Sequence, residues 1–386
     1  MAGWQTIPLG DVLTFQRGFD ITKDEQRDGP YPVISSSGPK TTHAEFKVRG
    51  PGVIIGRKGS LGTVFFSDGD YWPHDTTLWI KDFHRNHPKY AYYFLQTMGF
   101  ERLDAGASNP SLNRNHIHTI PVLWPPLPAQ RRIAGILSAY DELIENSQRR
   151  IRILETMARA LYREWFVHFR FPGREKLPRI ASPFGEIPQG WEVKTVADAF
   201  VIFGGGTPSR KEDEYWEAGT IQWYSPSDLT GAGTMFMDDS SDHITERGLA
   251  QSSARMFAAR SVMLSSRATI GAIAINTHPA CTNQGFITCL PNDRVSLYFL
   301  FHWLMENVPT FQRMASGATF KEISRGVFKT IEFLQPPDDL VRRFEALAAP
   351  MAEQVLALQR QIQNLRRTRD LLLPRLLSGQ VAVEAP

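Results

Sequence analysis

Ten positions in the first half of the chain (133, 137, 140, 144, 147, 151, 154, 158, 161 and 165) are spaced alternately by four and three. They read Ile, Leu, Tyr, Ile, Ser, Ile, Leu, Ala, Leu and Trp. That spacing is the period of a helix that shelters one seam along its length. Adding 211 to each gives Phe344, Ala348, Met351, Val355, Leu358, Ile362, Leu365, Arg369, Leu372 and Leu376, a second seam with Arg369 its one charged member. Two matching seams predict long helices that pack on each other as an intramolecular antiparallel coiled coil; the alternative is that each stripe faces its own domain core. Proline lacks the amide hydrogen a helix interior needs. Pro350 is therefore expected to break the second helix or to sit in the first turn of a longer one, and Pro374 to kink or end it. Each segment then becomes a short helix followed by a long one.

Elsewhere the apolar runs are short and bounded by glycine and proline, which predicts strands. They are Val53 to Ile55, Thr63 to Phe66, Thr77 to Ile80, Ser261 to Leu264, Ala272 to Ile275 and Phe286 to Cys289. Short helical patches fall at Tyr90 to Met98 and Leu297 to Glu306. The order repeats, and so do the residues. GASNPSLNRNHIHTIPVLWPP (Gly106 to Pro126) aligns without a gap on GATFKEISRGVFKTIEFLQPP (Gly317 to Pro337), at an offset of 211. VIIGRKGSLG (Val53 to Gly62) aligns on VMLSSRATIG (Val262 to Gly271), and the stretch from Trp4 to Asp11 on that from Trp191 to Asp198. A repeat unit of this size is a domain rather than a solenoid module. The segment from Phe171 to Gly190 has four prolines and three glycines and no periodicity, the profile of a linker.

The expected fold is therefore α+β: two β-rich domains with minor helices, separated by two long helices, with an internal pseudo-two-fold repeat. The expected boundaries are 1–125 and 191–335 for the domains, 126–170 and 336–380 for the helical spacers, 171–190 for the linker and 381–386 for a tail. A helix of about 32 residues spans roughly 50 Å, which would hold the two domains well apart.

Composition narrows the function classes. A length of 386 residues suits two or three domains. Nowhere do eighteen apolar residues run together, and Met1 to Asp11 lacks a signal-peptide profile, so a cytoplasmic protein is expected. The two cysteines, Cys281 and Cys289, exclude a disulfide scaffold and a four-cysteine zinc site; a redox pair stays open beside the plainer expectation of two buried thiols. A formal charge of +3 permits a polyanionic partner without requiring one.

Several chemistries lack their residues. There is no Gly-x-x-x-x-Gly-Lys-Ser/Thr loop to cradle ATP and no Asn/Asp-Pro-Pro-Tyr/Phe segment of the amino-methyltransferase kind. Gly204-Gly205-Gly206-Thr207-Pro208 suits a tight loop better than a nucleotide turn. His116 and His118 would share a face of a strand, but no third ligand stands close enough to complete a metal site. Asp238-Asp239 is expected in a solvated loop, and Asp338-Asp339 at a helix N-terminus, where negative charge complements the dipole.

Three stretches carry a family likeness. GGTPSRKEDEYWEAGTIQWYSPSDL (Gly205 to Leu229) resembles the opening of a recognition domain of type I restriction-modification specificity subunits. GATFKEISRGVFKTIEFLQPP (Gly317 to Pro337) resembles the close of such a domain, and PPLPAQRRIAGILSAYDELIENSQRRIRILETMARALYREWF (Pro125 to Phe166) the close together with the helix after it. With the duplicated layout, the likeness covers essentially the whole chain. The first domain departs more: Gln16-Arg17-Gly18-Phe19-Asp20 stands where the second has its Gly-Gly-Thr-Pro region, and Asn109-Pro110-Ser111 where the second has Phe320 to Glu322.

The resemblance implies a non-enzymatic subunit that reads a bipartite DNA site, one half per domain. It implies two modification subunits bringing S-adenosylmethionine-dependent adenine methylation and, in systems that cleave, restriction subunits bringing ATP and Mg. No cofactor is expected in this chain. Phosphate contacts call for Lys or Arg on exposed loops, and base-edge readout for Arg, Lys, Asn or Gln. The candidates are Arg57, Lys58, Asn109, Asn113 and Arg114 in the first domain, and Arg210, Lys211, Arg267, Lys321 and Arg325 in the second; a solvated surface charge is the alternative for each. Lys58 matches Arg267 in the alignment, and Arg114 matches Arg325. Gly62 and Gly271 are expected at tight turns. Arg149, Arg150, Arg152, Arg366 and Arg367 flank the helical seam, where they would pair with partner subunits or solvate a face. Trp165 and Phe166 are candidates for partner anchors or for domain-junction core. The rival readings are a coiled-coil scaffold with protein- or carbohydrate-binding domains, and a fused nuclease or methyltransferase.

Overall fold

The computed structural model describes residues 3–103, 111–317 and 319–381. The chain divides into two compact units, one of Met1–Asn146 with Gln361–Pro386 and the other Ser147–Arg360.

In the first unit the apolar run of Gly52–Gly56 is buried along its whole length because it is an inner strand. It lies in a four-stranded antiparallel sheet ordered Thr14–Arg17, Thr77–Asp82, Gly52–Gly56, Val64–Ser67. Beside it a three-stranded sheet pairs Tyr31–Ser35 antiparallel with Gly38–His43 and parallel with Trp72–Pro73. Gln5–Pro8 pairs with Pro121–Trp124, so the chain enters and leaves the domain on adjacent strands. The helix Pro88–Gln96, started by Pro88 and capped by His87, lays Tyr90 and Phe94 against Trp124.

The second unit repeats this topology with strands added. Its main sheet is ordered Ile202–Gly204, Phe286–Cys289, Val262–Ser265, Ile273–Asn276, with Phe236–Met237 added in parallel at the edge. Ile221–Tyr224 pairs antiparallel with Asp242–Ile244 and parallel with Ala280–Thr282. Glu192–Thr195 and Glu332–Gln335 form the entry and exit pair. All six expected strands are present, Phe286–Cys289 with the expected bounds and the other five displaced by a residue or two at their ends. The second helical patch runs further than expected, from Leu297 to Met314 through Pro309.

The long helices are Leu127–Tyr162 and Asp338–Leu377. In the first unit the start of one meets the end of the other: Ile133 and Leu137 share a core with Leu376 and Leu377, and Arg369 pairs with Asp141 at 2.6 Å. In the second unit the end of the first helix meets the start of the second, with Tyr162 and Trp165 packed against Phe344. The pairing is antiparallel in both, and no member of either seam is exposed. Arg369 is tolerated because Asp141, which also accepts from Tyr93 Oη at 2.5 Å, neutralises it.

Three expectations are corrected. Pro350 neither begins nor ends a helix: Asp338–Leu377 is continuous through Pro350 and Pro374. An interior proline costs about 3 kcal/mol. Burial of Phe344, Ala348, Ala352 and Val355 on both sides of Pro350 offsets it, and Ala346 is exposed so its carbonyl can meet water. Nor is the segment from Phe171 to Gly190 a bare linker. Arg179–Ser182 and Gly185–Pro188 form a hairpin, turned at Gly185 with φ +86°, and Phe171 and Ile187 are buried. His116 and His118 lie in the short helix Arg114–His118 rather than a strand.

Candidate nucleic-acid interface

In the second unit the turn after the central strand Val262–Ser265 is tied down by three backbone hydrogen bonds. Ser266 N–H donates to Gly285 O (2.8 Å), Ala268 N–H to Lys321 O (3.1 Å) and Ile323 N–H to Ser266 O (3.0 Å). Arg267 thereby sits opposite Glu322, with an ion pair at 4.0 Å. Ser324 caps the short helix Arg325–Lys329. The Arg325 guanidinium lies so close to Gly204 that a side-chain carbon there would overlap it. Methyls at Gly205 and Gly206 would likewise overlap the Asn283 carbonyl and Ser253. The glycine run is a close approach of backbone to backbone rather than a nucleotide cradle. It leads into the loop of Thr207, Arg210 and Lys211, with Thr207 Oγ1 bonded to Gln284 at 2.5 Å. Arg267, Lys321 and Arg325 thus lie on the turn bonded to Gly285 or on the segment bonded to that turn, while Arg210 and Lys211 lie on the loop that Gly206 and Thr207 tie to Thr282 and Gln284. All five are exposed.

The first unit builds the same arrangement. Arg57 and Lys58 donate their backbone N–H groups to Thr76 O (2.8 and 3.1 Å), and Arg57 O accepts from Leu112 (3.0 Å). Lys58 faces Ser111 as Arg267 faces Glu322. Asn113 Oδ1 accepts from Asn115 N–H at 3.0 Å and starts the short helix that begins with Arg114. Lys58, Asn113 and Arg114 are exposed. Arg57 is half-buried, with Nη1 buried and without a hydrogen-bond partner among the described residues. Asn109 lies outside the described residues. Gly18 abuts the carbonyls of Pro73 and His74 as Gly205 abuts those of Thr282 and Asn283. Sequence reasoning missed Arg17 beside it, whose Nη2 bridges Asp20 (3.0 Å) and Asp75 (3.2 Å). Its signal was position alone, one residue before the glycine that matches the second unit's glycine run.

Other sequence candidates fall elsewhere. Trp165 and Phe166 belong to the core of the second unit, with Phe166 centred 5.2 Å from Phe344 and 4.8 Å from Phe299. The partner-anchor expectation is corrected for both, since the faces that would bind are already covered. Arg149, Arg150, Arg152, Arg366 and Arg367 are exposed. Ile153 and Met157, half-exposed on the same helix at a spacing of four, went unnoticed because they lie off the seam.

Asp238 is more than a solvated loop acid: it accepts two hydrogen bonds from Arg360 (2.7 and 2.9 Å) and one from Thr277 (2.7 Å). The Arg360 bond is the main reason its carboxyl titrates below the usual range, burial opposing. Asp338 begins its helix and pairs with Arg294 at 3.0 Å. His118 Nε2 accepts from Phe15 N–H (2.9 Å), and burial with nearby Arg114 lowers its pKa, favouring the neutral ring. Both cysteines are buried and free; burial pushes the Cys281 thiol up to about 12 and Cys289 higher still. Thiols so raised are not nucleophiles. Among the described residues no group of three or more His, Cys, Asp or Glu could hold a metal, and no helix is long and apolar enough to cross a membrane.

The sequence model of the family described as "Type I restriction modification DNA specificity domain" matches residues 1–156 and again 188–340. Among similar proteins, the type I restriction enzyme MjaIX specificity subunit of Methanocaldococcus jannaschii is 26% identical, over 77% of this chain and 69% of its own. The HindI specificity subunit of Haemophilus influenzae is 24% identical, over 70% and 71%. Among solved structures, the S subunit of a type I restriction-modification system from M. genitalium superposes with a TM-score of 0.68 at 17% identity, over 97% of this chain and 96% of that one, a likeness of fold.

Proposed function

Because this chain belongs to the family of type I restriction-modification DNA specificity subunits, we propose that it reads a bipartite duplex site, one half through each recognition domain. On this reading two modification subunits bind it and methylate adenine with S-adenosylmethionine, and restriction subunits, where a system has them, add ATP- and Mg-dependent cleavage. The chain itself contributes recognition and no catalytic group.

The observation that carries the reading is the same domain topology built twice, with different side chains at the same turns. Two unlike edges on one fold suit two unlike half-sites. Arg57, Lys58, Asn109, Asn113 and Arg114 would serve the first half-site, and Arg210, Lys211, Arg267, Lys321 and Arg325 the second. The exposed arginines Arg149, Arg150, Arg366 and Arg367 would meet the modification subunits, with Ile153 and Met157 adding apolar contact beside Arg149 and Arg150.

The test is methylome sequencing of a host expressing this chain with its modification subunit, against the same host lacking the chain. A bipartite methyladenine motif that depends on the chain is the expected result. Its absence, with the modification subunit folded and bound, refutes the reading.

A further inference from the structure

The side chain of Arg210 is held in a way that a phosphate contact does not require. Its Cζ lies 3.5 Å from the centre of the Trp216 ring and 5.1 Å from that of Trp223, and its Nη2 bonds to Asp242 at 2.5 Å. Trp216 is fixed in turn: its indole meets that of Trp223 edge-on at 5.1 Å and packs against the cluster of Ile221, Ile244 and Cys281. The same two indoles hold the loop backbone, Trp223 Nε1 donating to Gly206 O (2.9 Å) and Trp216 Nε1 to Ser209 O (3.0 Å). Stacking fixes the plane of the guanidinium and the carboxylate fixes its rotation within that plane. The side chain nevertheless remains about half exposed, at 52%, and among the described residues Nε and Nη1 have no hydrogen-bond acceptor.

Phosphate is met equally well by a swinging cation. A fixed planar fork is what a base edge demands, and guanine offers it two acceptors, N7 and O6, in the major groove. We propose that Arg210 reads a guanine in the half-site of the second domain, with Trp216 and Asp242 as its positioning residues. The proposal rests on the DNA-reading function above and sharpens it: that half-site contains a G·C pair whose identity is checked by this one side chain. Lys211, exposed on the same loop, is left to the phosphates.

The test uses the chain in complex with its modification subunit, comparing methylomes and the rates at which duplexes carrying each base pair at the position in question are methylated. Arg210→Gln should make one G·C pair in one half-site degenerate, with discrimination falling about 10- to 100-fold, while the other half-site stays as it was; Arg210→Lys, whose ammonium can still donate to guanine, should relax it by less. Asp242→Asn and Trp216→Ala should also relax the same pair by less, and Trp216→Phe, which keeps a ring under the guanidinium, less again. Should Trp216→Ala fail to fold, Asp242→Asn and Arg210→Gln still decide. An unchanged motif in Arg210→Gln would mean a phosphate contact and overturn the proposal, as would a native half-site without a G·C pair. If the native complex gives no bipartite motif, the function on which the proposal rests falls, a result distinct from a native motif that the variants leave unchanged.

Discussion

The two recognition domains share a backbone and differ at its edge. After the central strand the first domain turns at Gly59 with φ +75°, the second at Ala268 with φ +60°. The first holds Arg17 between two carboxylates; the second holds Arg210 between an indole and a carboxylate. Arg57 stands half-buried where the second domain has the buried Ser266. Strand order is fixed by core residues that face one another, so it survives duplication. The turns face solvent, and any residue that keeps the backbone bonds to Thr76 or Gly285 is admissible there. The turns are therefore free to differ where the strands are not.

The largest effects should come from the glycines that this shared backbone needs. In Gly205→Ala and Gly18→Ala the new methyl overlaps backbone carbonyls that cannot swing aside. Each should lower unfolding stability by about 3 kcal/mol, read from urea midpoints, and abolish methylation at sites requiring its own half. An equal loss from both would confirm that the two loops are equivalent.

Next comes a pH effect in the second unit. His302 is buried, and burial first, with Arg159 second, lowers its pKa to about 4. Below pH 6.5 the unfolded chain takes up a proton that the folded one refuses, so stability should fall as pH drops from 6.5 toward 4, by about 3 kcal/mol at most. His302→Leu should flatten that slope in thermal unfolding; an unchanged slope would assign it to another group.

A smaller acid effect belongs to Asp238. Its pKa is depressed below 3.8, chiefly by Arg360, so the stabilisation is present above that value and is lost as pH falls through the folded pKa. Arg360→Ala should flatten this part of the acid limb by lowering stability at neutral pH, while stability below the folded pKa stays little changed. The smallest expected effect is the most direct exchange. Gly59→Ala, with nothing nearer than Ser36 Oγ at 3.7 Å, should cost about 1 kcal/mol from φ alone, and Ala268→Gly should gain somewhat less.

Much of this was legible in the sequence because repetition is visible without knowing what packs on what. The doubled strand order, the helical seams and the odd Arg369 all follow from spacing. The partner of Arg369 does not: Asp141 lies 228 residues away, and periodicity says which face is sheltered but not by whom. The same limit hid the burial of Trp165 and Phe166. The hairpin at Arg179–Pro188 escaped because its strands contribute few apolar residues among prolines. Pro350 misled because local propensity was weighed without the core residues on either side. Of the site, the exposed cations were legible by type and repeat position, whereas Arg17 and the stacking of Arg210 depend on contacts that only the folded chain creates.

The paired entry and exit strands carry a wider consequence. Gln5 lies across from Trp124 and Glu192 across from Gln335, neighbours at about 5 Å in the sheet direction. Each domain is thus a closed excursion whose two ends meet in a clasp. An interior of like ends could therefore replace it with both anchoring strands kept. On the reading proposed above, such an exchange in one domain would change one half-site and leave the other as it was.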